Sequence, residues 1–292
     1  MAKQPRPLAG RVVAITGAGR GIGRATAAAL AARGARIAVA DLDGAAAEQA
    51  AAALGPDHLG SAVDVTDASA FTAFLDEVER RLGPLDVLIN NAGIMPVTPL
   101  ADEDDASVTR QLELNLHAVI RGTQEAMRRM VPRASGHIVN VASLAGRSGF
   151  PNLATYCATK HGVVGLSEAV RGELRGTGVE ISVVMPGIVR TELSAGLKDA
   201  RGVKTLTPED VAAEIVSALE IPRFDVFVPR STGPLIAITG ALPRRLRESI
   251  ARALGADDAA GKADRSVRAA YEARAARSAP AAEEPTEERS AA

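Results

Sequence analysis

The chain has 292 residues, enough for one large α/β domain, and its net charge of -1 with a pI of about 6.5 gives no basic surface for nucleic acid. Aromatic residues make up 2% of the chain and tryptophan is absent, so platforms for stacking single-stranded bases are also missing. The single cysteine excludes an internal disulfide and a cysteine-based zinc site, and without a signal-peptide core or a membrane-spanning apolar run we expect a cytoplasmic protein.

The first predicted strand leads into a glycine-rich loop. Residues 11–16 form a short β-branched run that is typical of a buried parallel strand, and residues 24–33 read as an alanine-rich helix. Between them, residues 17–23 have the spacing G-x-x-x-G-x-G, with Ile22 where the usual G-x-G-x-x-G has its third glycine. Glycines let the backbone approach a pyrophosphate, and the helix N-terminus offers free N–H groups. A ligand-free turn is the alternative, but the flanking strand and helix favour a phosphate-binding loop.

An acidic residue follows the second predicted strand. This strand covers residues 36–40 and ends at Asp41, about 20 positions after the loop, where a carboxylate can accept both ribose hydroxyls of an adenosine. That carboxylate would repel a 2′-phosphate, which favours NAD, whereas Arg20 could pair with the phosphate, which favours NADP. We predict NAD. The third strand, residues 59–65, contains Asp64, which could bind the adenine amino group or cap the next helix, although Thr66 or Asp67 is better placed to cap it.

Strands and helices alternate along the chain at intervals of about 25 residues. A helix over residues 68–82 precedes a strand within residues 84–93 that ends in Asn-Asn-Ala-Gly. This alternation predicts a doubly wound parallel sheet of the Rossmann type with seven strands. Ligands of such sheets bind at the carboxyl ends of the strands, where the glycine loop, Asp41, Asp64 and residues 90–93 all lie.

The later strands also end in polar or rigid segments. The fifth strand, residues 136–142, ends at Ser143, which places a hydroxyl at the carboxyl edge of the sheet. The sixth, residues 178–185, ends in a turn over residues 186–191 that faces the same crevice. Residues 225–229 are predicted to form the seventh strand.

Two intervening segments are less regular. A long helix is predicted over residues 105–130, and Asn115 inside it competes with backbone hydrogen bonds, so it is expected to bend the helix and hold a water or, alternatively, to be a satisfied core residue. Residues 192–206 have no clear pattern and are predicted to form a mobile lid. Thr207 then caps a new helix, with proline at its first position and acidic residues in its first turn.

Tyr156 and Lys160 lie on a predicted helix four residues apart, so their side chains share one face. A free phenol, with a pKa near 10, is a poor proton shuttle at neutral pH. An ammonium roughly 5 Å away, at an effective dielectric of about 20, would stabilise the phenolate by ~3 kcal/mol, or about two pKa units. Most such pairs are a solvated surface tyrosine and an unrelated lysine, but here the upstream strand ends favour acid–base chemistry.

Together these motifs resemble the short-chain dehydrogenase/reductase family. The residues that carry the resemblance are Gly17-x-x-x-Gly21-Ile22-Gly23, Asn90-Asn91-Ala92-Gly93, Asn115, Ser143, Tyr156-x-x-x-Lys160 and Pro186-Gly187. They follow the family's order over residues 8–230, with no departure at the catalytic positions. The resemblance therefore covers the whole of the predicted dinucleotide-binding and catalytic domain.

The resemblance implies roles for individual residues. Tyr156 would be the general acid/base, and Lys160 would hold the nicotinamide ribose and lower the Tyr156 pKa, helped by the positive ring of the oxidised cofactor. Ser143 would bind the carbonyl oxygen, Asn115 would support a water-based proton relay, and Thr191 would touch the carboxamide. With the arguments above, the predicted cofactor-binding residues are Gly17, Arg20, Gly21, Ile22, Gly23, Asp41, Asp64, Val65, Asn91, Ala92, Gly93, Tyr156, Lys160, Pro186, Gly187, Ile188 and Thr191.

The resulting hypothesis is an NAD(P)-dependent alcohol dehydrogenase or ketone reductase. Its substrate would be a small hydrophobic secondary alcohol or ketone, because the low aromatic content and the variable lid favour an aliphatic or steroid-like pocket. The family resemblance implies a homodimer or homotetramer. The alternative is a non-catalytic dinucleotide-sensing protein of the same fold, which the intact set of four catalytic residues disfavours.

The chain continues beyond this domain with a predicted helical extension, residues 231–277, and a disordered tail, residues 278–292, rich in Ala, Pro and Glu. Leucine or isoleucine recurs every four residues over 242–254, with arginines on the other faces, which predicts an amphipathic helix. It could pack on its own domain or a partner subunit, or residues 231–254 could weakly contact a membrane surface. A short helix is predicted over residues 266–277. The four histidines show no metal-ligand spacing, so no metal site is predicted, and Cys157 is predicted to be a packing residue.

Overall fold

The sheet of the protein contains seven parallel strands. The structure, a computed structural model, describes residues 4–197, 205–253 and 265–276. Within these residues the strands are β1 (Val12–Thr16), β2 (Arg36–Asp41), β3 (Leu59–Ala62), β4 (Leu85–Asn90), β5 (Gly136–Val141), β6 (Val179–Pro186) and β7 (Asp225–Val228).

The strand order is β3-β2-β1-β4-β5-β6-β7, and every neighbouring pair is parallel. The chain builds outward from β1 in one direction and then from β4 in the other. A ligand crevice opens at such a reversal because the connections that leave the two strands diverge to opposite faces of the sheet. The predicted doubly wound parallel sheet is confirmed, and its reversal point lies at the carboxyl ends of β1 and β4.

Helices cover both faces of the sheet. They are α1 (Gly21–Ala31), α2 (Gly44–Ala52), α3 (Ala68–Leu82), α4 (Asp105–Leu112), α5 (Ala118–Met130), α6 (Ala154–Glu173), α7 (Pro208–Glu220), α8 (Thr232–Gly240), α9 (Arg244–Ala253) and α10 (Arg265–Ala276). A π-helical turn, Glu113–His117, joins α4 to α5.

Two hydrophobic layers sandwich the sheet because successive strand residues point to opposite faces. In β1, Val13 and Ile15 pack with residues of α1 and α7, whereas Val12 and Ala14 pack with residues of α3 and α5. All four are fully buried. Complete burial of a side chain the size of Ile15 contributes about 1.5–3 kcal/mol. This double burial explains why the strands read as continuous apolar runs rather than as alternating patterns.

The predicted and observed elements differ mainly at their ends. β3 stops at Ala62, short of the predicted end at Val65, because the Asp64 carboxylate accepts hydrogen bonds from the Thr66 N–H and hydroxyl and folds the chain into a turn. α1 begins at Gly21 rather than at residue 24, since the glycine loop already enters the first helical turn. Thr207 caps α7 as predicted, accepting a hydrogen bond from the N–H of Asp210.

The region predicted as a mobile lid is partly structured. Its first residues form the 3₁₀ turn Glu192–Ser194, and Leu206 pairs with Val189 in an isolated bridge. Residues 198–204 of that region lie outside the described residues, as does the predicted disordered tail over 278–292.

Helices α8, α9 and α10 follow the last strand and match the helices predicted there. Leu235 and Ile238 of α8 are 51% and 65% exposed, and Leu246 of α9 is 49% exposed. None of the helices in the described part of the chain combines the length and apolar character needed to cross a bilayer. The three helices differ in packing, since α10 carries the fully buried Arg268.

His137 is a buried residue of β5. The Ser182 hydroxyl donates to the carbonyl of Arg223, so it accepts from His137 Nε2, 2.8 Å away. Nδ1 of His137 is buried without a hydrogen-bond partner among the described residues. Burial, with a smaller contribution from Arg6, lowers the pKa of His137 to about 3.

This histidine makes the stability of the fold depend on pH. Its pKa is about 3 in the folded protein and 6.5 in an ordinary environment, so only the unfolded chain binds the proton as the pH falls below 6.5. The contribution of neutral His137 to the free energy of unfolding is fully present above pH 6.5 and is lost progressively as the pH falls. Between pH 6.5 and 5.5 we expect wild type to lose about 1 kcal/mol more unfolding free energy than His137→Gln, measured by urea denaturation. Parallel pH profiles for the two proteins would contradict this.

Candidate active site

The glycine loop and the end of β4 touch at the reversal point of the sheet. Gly17 has a φ of +62°, and a Cβ added to it would lie 2.8 Å from Ala92 Cα. A Cβ on Gly23 would lie 2.5 Å from the carbonyl oxygen of Gly17. Only glycine therefore fits both positions. α1 starts directly after this loop without a side-chain cap, so its N-terminal N–H groups face a cradle suited to a pyrophosphate.

Hydrogen bonds lock the ends of β1 and β4 together. The hydroxyl of Thr16 accepts from the N–H groups of Asn91 and Ala92, at 3.0 and 3.1 Å. The side-chain amide of Asn91 donates to the carbonyls of Thr16 and Gly17, at 2.9 and 3.0 Å. Asn91 therefore shapes the glycine loop. Thr16 was not among the residues that sequence reasoning selected, although its place as the last residue before the loop was a usable signal.

Asp41 and Arg20 both line the crevice, next to the glycine loop. The Asp41 carboxylate accepts hydrogen bonds from the N–H groups of Gly19, at 2.9 Å, and Asp43, at 3.1 Å. Arg20 is paired with Asp43 at 2.6 Å and with Glu192 at 3.6 Å. The carboxylate is thus fixed at the end of β2, while the guanidinium is already engaged by two acids.

Asp64 and Val65 follow β3 at the same edge of the sheet. The structure assigns the helix cap to Asp67, whose carboxylate accepts from the N–H groups of Ser69 and Ala70. The alternative role of Asp64 as a cap is therefore wrong, and its side chain lies on the wall of the crevice.

Tyr156 and Lys160 occupy one face of α6 beneath the ends of β4 and β5. Lys160 Nζ lies 5.7 Å from the centroid of the Tyr156 ring and donates to the carbonyl of Val141 at 2.9 Å. The two side chains are almost fully buried. Ser143 follows β5 on the same wall, and its hydroxyl accepts from the N–H of Ala145. The structure thus brings the predicted phenol, ammonium and hydroxyl groups together.

Burial dominates the electrostatics of this pair. It raises the pKa of Tyr156 to about 12, and the interaction with the Ser143 hydroxyl acts in the opposite direction. Burial also lowers the pKa of Lys160 to about 8. The expected net lowering of the Tyr156 pKa is therefore wrong for the protein groups alone, because burial raises this pKa more than the Ser143 hydrogen bond lowers it.

Asn115 lies in the π-helical turn and is fully buried. Its side-chain oxygen accepts from the Ile94 N–H and its amide donates to the Ile94 carbonyl, both at 2.8 Å. The amide also lies 3.4 Å from the hydroxyl of Thr159 on α6. The predicted distortion of the long helix is confirmed. The Asn115 side chain fixes the loop after β4 through its two hydrogen bonds to Ile94.

These elements enclose one large cavity of about 940 Å³. Among the predicted site residues, the structure places all on its wall except Gly23 and Asn115, which lie behind it and support the glycine loop and the loop after β4. Beyond the predicted residues, the cavity wall is mostly apolar, and its apolar side chains include Met95, Leu114, Leu144, Phe150, Leu153, Leu193, Leu197 and Tyr271.

Sequence reasoning missed the contribution of α10 to this wall. Tyr271, Arg274 and Ala275 of α10 line the cavity, more than one hundred residues after the last predicted catalytic residue. Their spacing marks one helix face, but nothing in the sequence indicates that this face meets the crevice. The described residues contain no cluster of His, Cys, Asp and Glu side chains able to hold a metal ion.

Comparisons with known proteins agree with this geometry. Residues 11–202 match the family model of the short chain dehydrogenases. A D-threitol dehydrogenase from Mycolicibacterium smegmatis is 40% identical over 189 residues, which cover 64% of this chain and 73% of the relative. 2-(S)-hydroxypropyl-CoM dehydrogenase 3 from Xanthobacter autotrophicus is 34% identical over 253 residues, covering 80% of this chain and 97% of the relative.

A solved structure shares the fold. It is a short chain dehydrogenase/reductase from Burkholderia phymatum in complex with NAD, superposed with a TM-score of 0.74 at 26% identity, over 80% of this chain and 94% of that chain. The parallel seven-stranded sheet, the glycine cradle at its reversal point and the matched sequence lead to one conclusion. The chain belongs to the short-chain dehydrogenase/reductase family of oxidoreductases.

Proposed function

We propose that this oxidoreductase transfers a hydride between NAD and a hydrophobic secondary alcohol or ketone, with Tyr156 as general acid/base. The observation that carries the proposal is that the buried Tyr156 and Lys160 and the partly buried Ser143 line one cavity that also contains the glycine cradle. A phenol, a hydroxyl and a dinucleotide cradle in one enclosed space are the groups that such a transfer needs.

The proton would move through the Tyr156 hydroxyl. In ketone reduction, Tyr156 donates its proton to the carbonyl oxygen, and its raised pKa keeps the phenol protonated at neutral pH. In alcohol oxidation, the phenolate accepts the alcohol proton. The Ser143 hydroxyl orients the same substrate oxygen, and protonated Lys160 stabilises the phenolate. The dinucleotide, when bound, supplies the hydride acceptor or donor and, in its oxidised form, a positive charge.

Asn115 has a positioning role in this proposal. Its side chain is engaged with the backbone of Ile94, next to Gly93, where an added Cβ would lie 3.0 Å from the Asn115 side-chain oxygen and 3.7 Å from Lys160 Nζ. The π-helical turn around Asn115 is the kind of backbone distortion that often accompanies functional sites. We propose that it supports a water-based proton relay from Lys160.

The proposed cofactor is NAD rather than NADP. The Asp41 carboxylate is held at the end of β2 by two backbone N–H groups, in a position to accept ribose hydroxyls and to repel a 2′-phosphate. Arg20, the side chain that could neutralise such a phosphate, is paired with Asp43 and Glu192. The contacts of Thr191, Pro186, Gly187 and Ile188 with the nicotinamide end belong to the same proposal.

The proposed substrate class rests on the apolar wall. The side chains around Tyr156 include Met95, Leu153 and Cys157, which form a common hydrophobic cluster with it. Such a wall favours an uncharged aliphatic or alicyclic compound, since a charged group would lose its hydration there without a partner. A purely nucleotide-sensing protein would not need a buried phenol beside the cradle, so the enzyme is the better candidate.

Replacement of Tyr156 tests the proposed acid/base. We expect Tyr156→Phe to reduce turnover of secondary alcohols at least 10³-fold, because no other group then holds the proton. NAD binding, measured by calorimetry, should change by less than about threefold, or ~0.7 kcal/mol, since the glycine cradle is untouched.

The neighbouring Cys157→Ala is the matched control, because Cys157 is buried in the same cluster but its thiol has no proposed role. It should retain turnover within a few-fold. Retained turnover in Tyr156→Phe would refute the assignment.

Replacement of Asp41 tests the cofactor choice. We expect Asp41→Asn to lower the ratio of kcat/KM for NAD over NADP at least tenfold, or ~1.4 kcal/mol, because the repulsion of the 2′-phosphate is removed. The exposed Asp57→Asn changes the net charge equally and should leave the ratio unchanged. A higher ratio in Asp41→Asn, or a wild type that prefers NADP, would contradict the proposal.

The cellular setting and the assembly extend the same proposal. We propose a cytoplasmic homodimer or homotetramer whose catalytic domain spans residues 8–230. The exposed Leu235, Ile238 and Leu246 lie next to the exposed Arg244 and Arg245, which is a combination suited to weak contact with an anionic membrane surface.

Vesicle flotation tests the membrane contact. Wild type should float with vesicles that contain phosphatidylserine at low salt, because the arginines are attracted to the anionic surface and the apolar side chains insert. The double variant Leu235→Ser, Ile238→Ser should float at least threefold less, while its NAD binding stays the same. Equal flotation of the two proteins would show that α8 and α9 do not contact lipid.

A further inference from the structure

One buried arginine fastens α10 to the mouth of the crevice. Arg268 is 2% exposed. Its guanidinium donates to the carbonyls of Met95 at 2.7 Å, Leu193 at 3.1 Å and Ala195 at 2.9 Å. Its Nε pairs with Glu272, one turn further along α10, at 2.9 Å. Burial of a charged side chain is tolerated here because its donors meet carbonyl or carboxylate oxygens.

The three carbonyls belong to two different segments of the crevice. Met95 lies in the loop after β4, whereas Leu193 and Ala195 lie in the segment that follows β6. Arg268 therefore ties α10 to both sides of the opening at once. A contact on only one side would leave the helix free to swing away, but two sides fix its position and its orientation.

Tyr271 completes the attachment from the same helix face. Its hydroxyl accepts a hydrogen bond from the N–H of Met95 at 2.7 Å, and the Arg268 guanidinium carbon lies 5.0 Å from the centroid of its ring. Tyr271 is 8% exposed, and its remaining surface lines the cavity. Burial raises the pKa of Tyr271, and both this phenol and that of Tyr156 line the same cavity.

Two further bonds hold the last turn of α10. Arg274 pairs with Glu192 at the start of the segment after β6. Arg110 of α4 donates to the carbonyl of Ala276 at 2.8 Å, which satisfies one of the carbonyls left open at a helix end. Both pairs involve exposed side chains and add less than the buried Arg268. The helix is thus held at both ends by residues of the catalytic domain.

We propose that α10 is the distal wall of the substrate site, that the Tyr271 ring sets the size of apolar substrate accepted, and that Arg268 is the residue that positions this wall. The inference rests on the proposed function, because it assigns the specificity of that same site. The substrate class is an uncharged secondary alcohol or ketone whose apolar part extends away from Tyr156 toward α10.

The wall would act through shape. The Tyr271 hydroxyl is fixed by Met95, so the ring cannot turn aside for a longer substrate. In a rigid apolar pocket, one methylene too many or too few changes kcat/KM by about 10–200-fold. The C-terminal part of the chain therefore supplies specificity, while the sheet supplies the cofactor site and the proton.

A chain-length series tests the wall. The kcat/KM values for alkan-2-ols from propan-2-ol to decan-2-ol would be measured for wild type, Tyr271→Ala, Tyr271→Phe and Arg268→Met. Tyr271→Ala should raise the ratio of decan-2-ol to hexan-2-ol at least tenfold, mainly through KM. Tyr271→Phe keeps the ring but loses its hydrogen bond to the Met95 N–H, so it should shift the ratio in the same direction by less than Tyr271→Ala. Arg268→Met should shift the ratio in the same direction as Tyr271→Ala.

Val267→Ala is the matched control, since it shortens a side chain on the exposed face of the same helix. It should reproduce the wild-type profile. An unchanged profile in both Tyr271→Ala and Arg268→Met would overturn the proposal. A loss of kcat for propan-2-ol and of NADH binding in Arg268→Met would mean that Arg268 stabilises the fold rather than the wall.

Hydrogen exchange supplies a readout without turnover. The Met95 amide and the peptides over 190–197 should exchange at least tenfold faster in Arg268→Met than in Val267→Ala. Unchanged exchange would show that Arg268 does not hold the wall. If wild type oxidises no alcohol of the series, the proposed function fails. The role of α10 as the wall is then tested by calorimetric binding of decan-2-one to the NADH-bound protein. Tyr271→Ala should change the Kd for decan-2-one at least tenfold, and Val267→Ala should not change it.

Discussion

The contact between the carboxyl ends of β1 and β4 is the constraint on which the rest of the site depends. Thr16 and Asn91 exchange hydrogen bonds across these ends, and Gly17 packs against Ala92 more closely than any side chain would permit. The contact fixes the glycine loop, the start of α1 and the loop that carries Ile94 and Met95. Two further side chains hold that loop: Asn115 accepts a hydrogen bond from the Ile94 N–H, and Tyr271 accepts one from the Met95 N–H. The contact between β1 and β4 thus supports both the glycine loop and the loop to which Tyr271 binds.

Burial is the main cause of the pKa shifts of Tyr156 and Lys160. Enclosure raises the Tyr156 pKa to about 12 and lowers that of Lys160 to about 8, so the two pKa values move toward forms that carry less charge. Burial therefore disfavours the charged form of each group.

The residues after β7 divide into two kinds. α8 and α9 expose apolar and basic side chains, whereas α10 buries an arginine and a tyrosine against the catalytic domain. From the sequence alone, this region is predicted to be one helical extension over residues 231–277. In the structure, one face of α10 lines the large cavity and contacts the loop after β4. We therefore propose that the substrate-binding unit includes this helix as well as residues 8–230.

The sequence by itself determined the parallel sheet, the glycine loop and the placing of Tyr156 and Lys160 on one helix face. Continuous apolar runs, the glycine spacing and Tyr156-x-x-x-Lys160 are local patterns, and parallel topology brings every strand's carboxyl end to one edge. Only the tertiary structure decided the direction of the Tyr156 pKa shift and the presence of Tyr271 in the wall of the cavity that Tyr156 also lines. Desolvation depends on everything packed around a group, and a contact between residues more than one hundred positions apart leaves no periodic trace in the chain.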